Sequence, residues 1–189
     1  MFDTLPPAFT LDDARRAGLR KDQVYRALQA GSLERVGRSA YIKTDSLDPS
    51  HTSLAAATAL HSSATMCLTS ALAHHGLSDA IPVATDIALP RGTRHPAGFR
   101  HVVWHSFAQA TFDIGREPLA NHDTLFCYSP IRTIIDAFRL AHQEGSDVAV
   151  EALKRWLRER GNYPAKLLDL SKAFPKAHLS IRSALEILA

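Results

Sequence analysis

Near the N-terminus the apolar positions recur at helical spacing in two short stretches and then switch to strict alternation. Thr10-Leu11-Asp12-Asp13 has the form of a capping box with Asp in place of Glu, so a helix is expected from Leu11, through Ala14, to a stop at Gly18. A second helix is expected over Leu19 to Ala30, with Val24 and Leu28 on one face at i, i+4 and Gly31 closing it. Leu33-Glu34-Arg35-Val36 alternates, Gly37-Arg38 turns, and Ala40-Tyr41-Ile42-Lys43 completes a hairpin. Helix, glycine turn, helix and basic hairpin, in that order, match a winged helix-turn-helix.

Asp45 to Pro49 is polar and turn-rich, the expected linker. Asp48-Pro49 then has the cap and N1 chemistry to open an Ala-rich helix reaching about Leu60. Met66 to Leu68 reads as a brief strand, with Thr69 or Ser70 capping a helix that ends at His75-Gly76. Asp86 to Leu89, Arg100 to His105 and Leu125 to Tyr128 read as strands, the first two separated by a loop rich in Pro, Gly and Arg. Ser129-Pro130 starts a helix that carries Ile131, Ile134, Ile135 and Phe138, with Arg132 and Asp136 as a stabilising i, i+4 pair. Helices are expected over about 147–160, 164–173 and 177–188. The fold class is therefore α+β: an N-terminal winged helix-turn-helix (1–45) followed by a larger mixed α/β domain (49–189) with a helical C-terminus. Leu72, Leu77, Ile87, Val103, Ile131, Ile134, Ile135 and Phe138 are the expected core of the second domain.

With 46% hydrophobic and 22% charged residues over 189 positions, a packed core needs no staples. No apolar run approaches the ~20 residues of a membrane span, and Met1 to Thr10 lacks the apolar stretch of a secretory signal, so a cytoplasmic protein is expected. Cys67 and Cys127 lie in apolar surroundings and are expected to be buried free thiols. The net charge of +3 is unevenly placed. Residues 1–43 hold eight Lys/Arg against five acids, and the remainder holds fourteen of each sign. All of the excess thus sits beside the helix-turn-helix pattern, which suggests a polyanionic partner.

In such a unit the second helix enters the major groove. Arg20, Lys21, Gln23 and Arg26, with Tyr25 nearby, are its candidate readers, since Arg and Lys match guanine and Gln matches adenine. Arg35 and Arg38 flank the hairpin turn, where guanidiniums meet phosphates, and Lys43 follows on the same hairpin. The ten histidines offer no ligand spacing. His74 and His75 point about 100° apart on a helix, and His101 and His105 would lie roughly 13 Å apart on a strand. There is no Cys-x-x-Cys, His-Glu-x-x-His, Gly-x-Ser-x-Gly or phosphate-loop motif, so no catalytic residue, metal or cofactor is expected.

Phe9-Thr10-Leu11-Asp12-Asp13-Ala14-Arg15-Arg16-Ala17-Gly18-Leu19 and Leu28-Gln29-Ala30-Gly31-Ser32-Leu33-Glu34-Arg35-Val36-Gly37-Arg38-Ser39-Ala40-Tyr41 resemble the N-terminal winged helix of the AbiEi antitoxin family. Leu68-Thr69-Ser70-Ala71-Leu72-Ala73-His74-His75-Gly76-Leu77 resembles the helix of that family ending in His-Gly-Leu, and Ser129 to Asp136 resembles its Ser-Pro-x-Arg-Thr segment. The resemblance implies an antitoxin of a type IV toxin–antitoxin operon. Such a protein would repress its own promoter by binding double-stranded DNA and would counteract a nucleotidyltransferase-like toxin. One departure matters. Family members commonly carry a helix before the Phe-Thr-Leu stretch, where this chain has only Met1 to Ala8, so either the second domain covers the gap or DNA binding is weakened. The alternative function is a protein-interaction module whose degenerate winged helix does not bind DNA.

Overall fold

The computed structural model describes residues 2–188, the side chains of Gln143 and Glu144 excepted. Strand β1 (Ala8–Thr10) leads into helix α1 (Leu11–Arg16), then α2 (Lys21–Gln29), β2 (Leu33–Val36) and β3 (Ala40–Lys43). The capping box at α1 is formed: Asp13 donates its N–H to Thr10 Oγ1 at 3.2 Å, and Thr10 donates its N–H to Asp13 Oδ2 at 2.8 Å. Gly18 turns the chain at φ +81°, and α2 opens two residues later than its apolar pattern suggests. The strands form an antiparallel sheet in the order β1-β3-β2, with Phe9 opposite Tyr41 and Ala8 opposite Ile42. Alternation then sends the two sets of side chains to opposite faces. Phe9, Tyr41 and Leu33 pack on Ala14, Val24 and Ala27 of the two helices. Ala8, Val36, Ala40 and Ile42 face the other way.

That second face is covered by α3 (Thr52–Leu60), which brings Ala56 and Leu60 against it. Ala40, Tyr41 and Ile42 are consequently all buried, although alternation alone would leave one face of the hairpin wet. A 3-10 turn at Pro49–His51 precedes α3, and Asp48 Oδ1 accepts the Ser50 N–H at 2.8 Å. The opposite side of α3, with Leu54, Ala55 and Ala57, packs on a second sheet beside Met66, Ile87 and Leu125. A helix of small side chains thus lies between two sheets.

The second sheet comprises β4 (Thr65–Met66), β5 (Thr85–Pro90), β6 (Val102–Phe107), β7 (Arg116–Leu119) and β8 (His122–Tyr128), in the order β6-β5-β4-β8-β7. β4 pairs antiparallel with β5 and parallel with β8. Helix α4 (Leu68–His74) starts one residue before the expected Thr69 or Ser70 cap. No local side chain caps it. Asp86 of β5 serves instead, its Oδ2 accepting the Ser70 N–H at 3.3 Å while Asp86 donates its own N–H to Ser70 Oγ at 2.8 Å. Helix α5 (Pro130–Arg139), capped by Ser129, is the axis of a helical layer with α6 (Ala141–Glu144), α7 (Ser146–Arg158), α8 (Pro164–Ser171) and α9 (Pro175–Leu188).

Leu72, Leu77, Ile134 and Ile135 sit in the core of that layer with Trp156 and Ile181, and Ile131 and Phe138 pack at its rim. Ile87 lies in the core between the sheets. Val103 is the exception, 46% exposed. It is the second residue of the edge strand β6, on the face opposite Val102 and Trp104, so an apolar residue in an alternating run ends in solvent. The chain is an α+β protein, and no helix among its described residues is long and apolar enough to cross a membrane.

Candidate nucleic-acid interface

α2 turns Val24 and Ala27 into the core, which leaves Arg20, Lys21, Tyr25 and Arg26 exposed on the far side. Arg26 Nη2 lies 2.7 Å from Asp22 Oδ2, and Arg20 Nε lies 3.4 Å from Asp22 Oδ1. Such exposed pairs are weak and screened, so an incoming phosphate can displace the carboxylate. Lys21 Nζ sits 5.5 Å from the centre of the Tyr25 ring. Gln23 is placed differently from the other candidates: its Oε1 accepts the Arg20 N–H at 2.8 Å and closes the first turn. It could pair with adenine through both amide atoms only by releasing that turn. Lys43 is also tied down. Paired opposite Leu33 at the open end of the hairpin, it donates from Nζ to the Leu5 carbonyl and holds the N-terminal segment against β3.

The hairpin tip does not project freely. Gly37 has φ +71°, and a Cβ there would fall 2.5 Å from Cε2 of Phe99, in the loop between β5 and β6. Arg38 donates its N–H to the Ala97 carbonyl at 3.0 Å, and the Gly98 backbone lies directly against Gly37 and Arg38. Phe99 is held in turn by an edge-on contact with Trp104, ring centres 5.3 Å apart. Arg35 and Arg38 are both exposed, and Arg35 donates to the Arg38 carbonyl across the turn. Beside the tip is a cleft of about 530 Å³ whose lining includes Arg35, Thr52, Ser53, Arg100 and His101. The loop contributes Arg91, Arg94, His95, Arg100 and His101, all exposed, and no acid from 91 to 101. The run of basic residues is legible in the sequence; its contact with a hairpin some sixty residues earlier has no local signal.

Other polar clusters have structural geometry. Arg132 and Asp136 are fully buried at 2.9 Å, with Arg139 Nη2 3.0 Å from the second carboxylate oxygen. Arg132 Nη1 also donates to the carbonyls of Thr111 and Ile114, and the guanidinium lies over Tyr128 and Phe174. The resembling Ser-Pro-x-Arg-Thr segment is therefore a buried hub joining α5 to the β6–β7 connection. Asp86 contacts both His105 Nε2, at 2.8 Å, and Ser70 Oγ, at 3.3 Å. Here the carboxylate stands between imidazole and hydroxyl, whereas activating a serine needs the imidazole beside it. His51, His74, His75 and His122 form a chain with ring centres 5.0–5.8 Å apart, yet among the described residues no three His, Cys, Asp or Glu groups converge as a metal site requires. Of the basic residues near the end of α7, Arg155 is bound to Asp79 and Glu151, leaving Arg158 and Arg160 exposed. No protein-family model and no curated protein matches the chain.

Proposed function

We propose that the chain binds duplex DNA through its first 43 residues, with α2 in the major groove and the β2–β3 hairpin on the phosphate backbone, as a winged helix-turn-helix does. The observation that carries this reading is the placement of Arg20, Lys21 and Arg26 on the outer face of α2, with Arg35 and Arg38 exposed on the hairpin that follows. Arg20, Lys21 and Arg26 are the base-reading candidates, and Gln23 and Lys43 support the fold around them. The motif resemblance extends the proposal to biology: a cytoplasmic antitoxin that represses its own promoter and counteracts a nucleotidyltransferase-like toxin.

The test is fluorescence anisotropy with the DNA upstream of the gene and with a duplex of scrambled sequence, at several salt concentrations. Arg26→Ala should weaken the upstream duplex by about 1–3 kcal/mol and narrow the preference between the two. Unchanged affinity and preference would remove Arg26 from the reading set. A protein-interaction module is the second reading. It is favoured by the occupied hairpin tip, which Phe99 and Ala97 hold against the second sheet. Absence of salt-dependent binding to either duplex would select it.

A further inference from the structure

We infer that the Arg91–His101 loop forms a second phosphate-binding arm, continuous with the hairpin tip, so that the DNA footprint extends onto the larger part of the chain. This rests on the DNA-binding reading above. Three observations support it.

The first is fixation. Arg38 N–H on the Ala97 carbonyl, Gly37 beneath the Phe99 ring and Gly98 against the Arg38 backbone join tip and loop, so their charges are presented as one surface. A loop held in place loses less conformational freedom on binding than a free one.

The second is the pattern of neutralisation. Arg15, Arg16, Arg20, Arg26, Arg132, Arg139, Arg155 and Arg182 each have a carboxylate within ion-pair distance. Among the described residues no carboxylate lies within ion-pair distance of Arg35, Arg38, Arg91, Arg94 or Arg100, although all five are exposed; away from the tip and the loop, the same holds for Arg158 and Arg160. Of the five, Arg35 and Arg100 line one cleft and Arg38 sits at the tip beside it; unneutralised guanidiniums so placed repel each other until an anion arrives, and a nucleic-acid backbone supplies anions at regular intervals.

The third is the shape between the two arms. The cleft has Arg35 on the hairpin side, Arg100 and His101 on the loop side, and the hydroxyls of Thr52 and Ser53 among its lining. Guanidinium, hydroxyl and backbone donors of this kind are those that bind phosphate oxygens without reading bases.

The experiment compares the wild-type protein with an Arg94→Gln, Arg100→Gln variant and an Arg94→Lys, Arg100→Lys variant, each checked for unchanged circular dichroism. Affinity for the upstream and scrambled duplexes is measured against salt. The glutamine variant should weaken both duplexes alike, and its log K against log salt slope should flatten by roughly 0.9 for each phosphate it no longer neutralises. The lysine variant should keep most of the slope, because binding a phosphate needs charge more than shape. A wild-type slope in the glutamine variant, with wild-type binding intact, overturns this inference and leaves the function standing. Loss of sequence preference without a change of slope overturns the assignment to phosphate. Failure of the wild-type protein to bind either duplex overturns both.

Discussion

Replacing Arg132 with Met keeps the length of the side chain and removes its charge from the most enclosed ion pair in the protein. The guanidinium donates to Asp136 Oδ2 at 2.9 Å and to the carbonyls of Thr111 at 2.7 Å and Ile114 at 2.6 Å, and it lies 4.3 Å from the centre of Tyr128. Burial pushes the Asp136 carboxyl up against the pull of Arg132 and Arg139, so the carboxylate depends on those two neighbours. The substitution leaves it with Arg139 alone and strands two carbonyl oxygens. Breaking a buried pair in this way destabilises by about 3–5 kcal/mol. Against a total stability of about 5–15 kcal/mol, that is a large share. With a urea dependence of about 2–3 kcal/mol/M, the midpoint should fall by about 1–2 M. The double variant Arg132→Met, Asp136→Leu removes both charges and should recover much of the loss, since hydrophobic replacement of a whole buried pair is often tolerated. Urea unfolding followed by circular dichroism measures both variants. A loss below about 1 kcal/mol for the single variant, or a double variant no better than the single one, would refute the view of this pair as an interdependent charge hub.

Gly37→Ala meets both φ +71° and the Phe99 ring, so it should destabilise by about 1–3 kcal/mol and flatten the salt dependence of DNA binding while sequence preference is kept; urea melts and anisotropy check the two effects. Burial pushes the Cys127 thiol up to about 12 and the Cys67 thiol well above its ordinary value, so both should resist a disulfide reagent at pH 8 until denaturant is added. Fast labelling of the native protein would contradict this. Burial also holds His51, His74 and His75 below the ordinary histidine value of 6.5. The unfolded chain therefore takes up protons first, and stability is full above pH 6.5 and declines as pH falls below it. Urea midpoints between pH 7.5 and 5 should show that decline, and a His51→Gln, His74→Gln variant should show less of it.

Local signals account for much of the fold. Thr10 with Asp13, Gly18, Gly31 and Gly37 mark starts, stops and turns within a few residues of themselves, and β2 and β3 lie at the positions their alternation indicates. The i, i+4 spacing of Arg132 and Asp136 also shows in the sequence, but their complete burial does not. What escaped is long-range. β1 is a strand because β3 is beside it, β7 because β8 is, and the N-terminus of α4 is capped by a carboxylate sixteen residues away. At the candidate interface the exposed face of α2 follows from its periodicity. Whether a polar side chain on it is free does not, as Gln23 shows by closing its own helix and Lys43 by bonding Leu5. The pairing of hairpin tip with the Arg91–His101 loop depends on Phe99 finding Gly37, which no pattern in either segment encodes.

The position of α3 between two sheets sets an order of events at the ribosome. Residues 2–48 emerge before α3 and can close the cluster of Phe9, Val24 and Tyr41, but Ala40 and Ile42 stay wet until Ala56 and Leu60 have been synthesised. The nascent hairpin is therefore a one-sided structure, and small isolated sheets of that kind are marginal in water. Its tip gains its seat later still, when Phe99 leaves the exit tunnel. The basic surface attributed to the hairpin is thus a late product of synthesis, and a truncated chain released before residue 99 would carry α1, α2 and the hairpin without the loop that holds the hairpin tip.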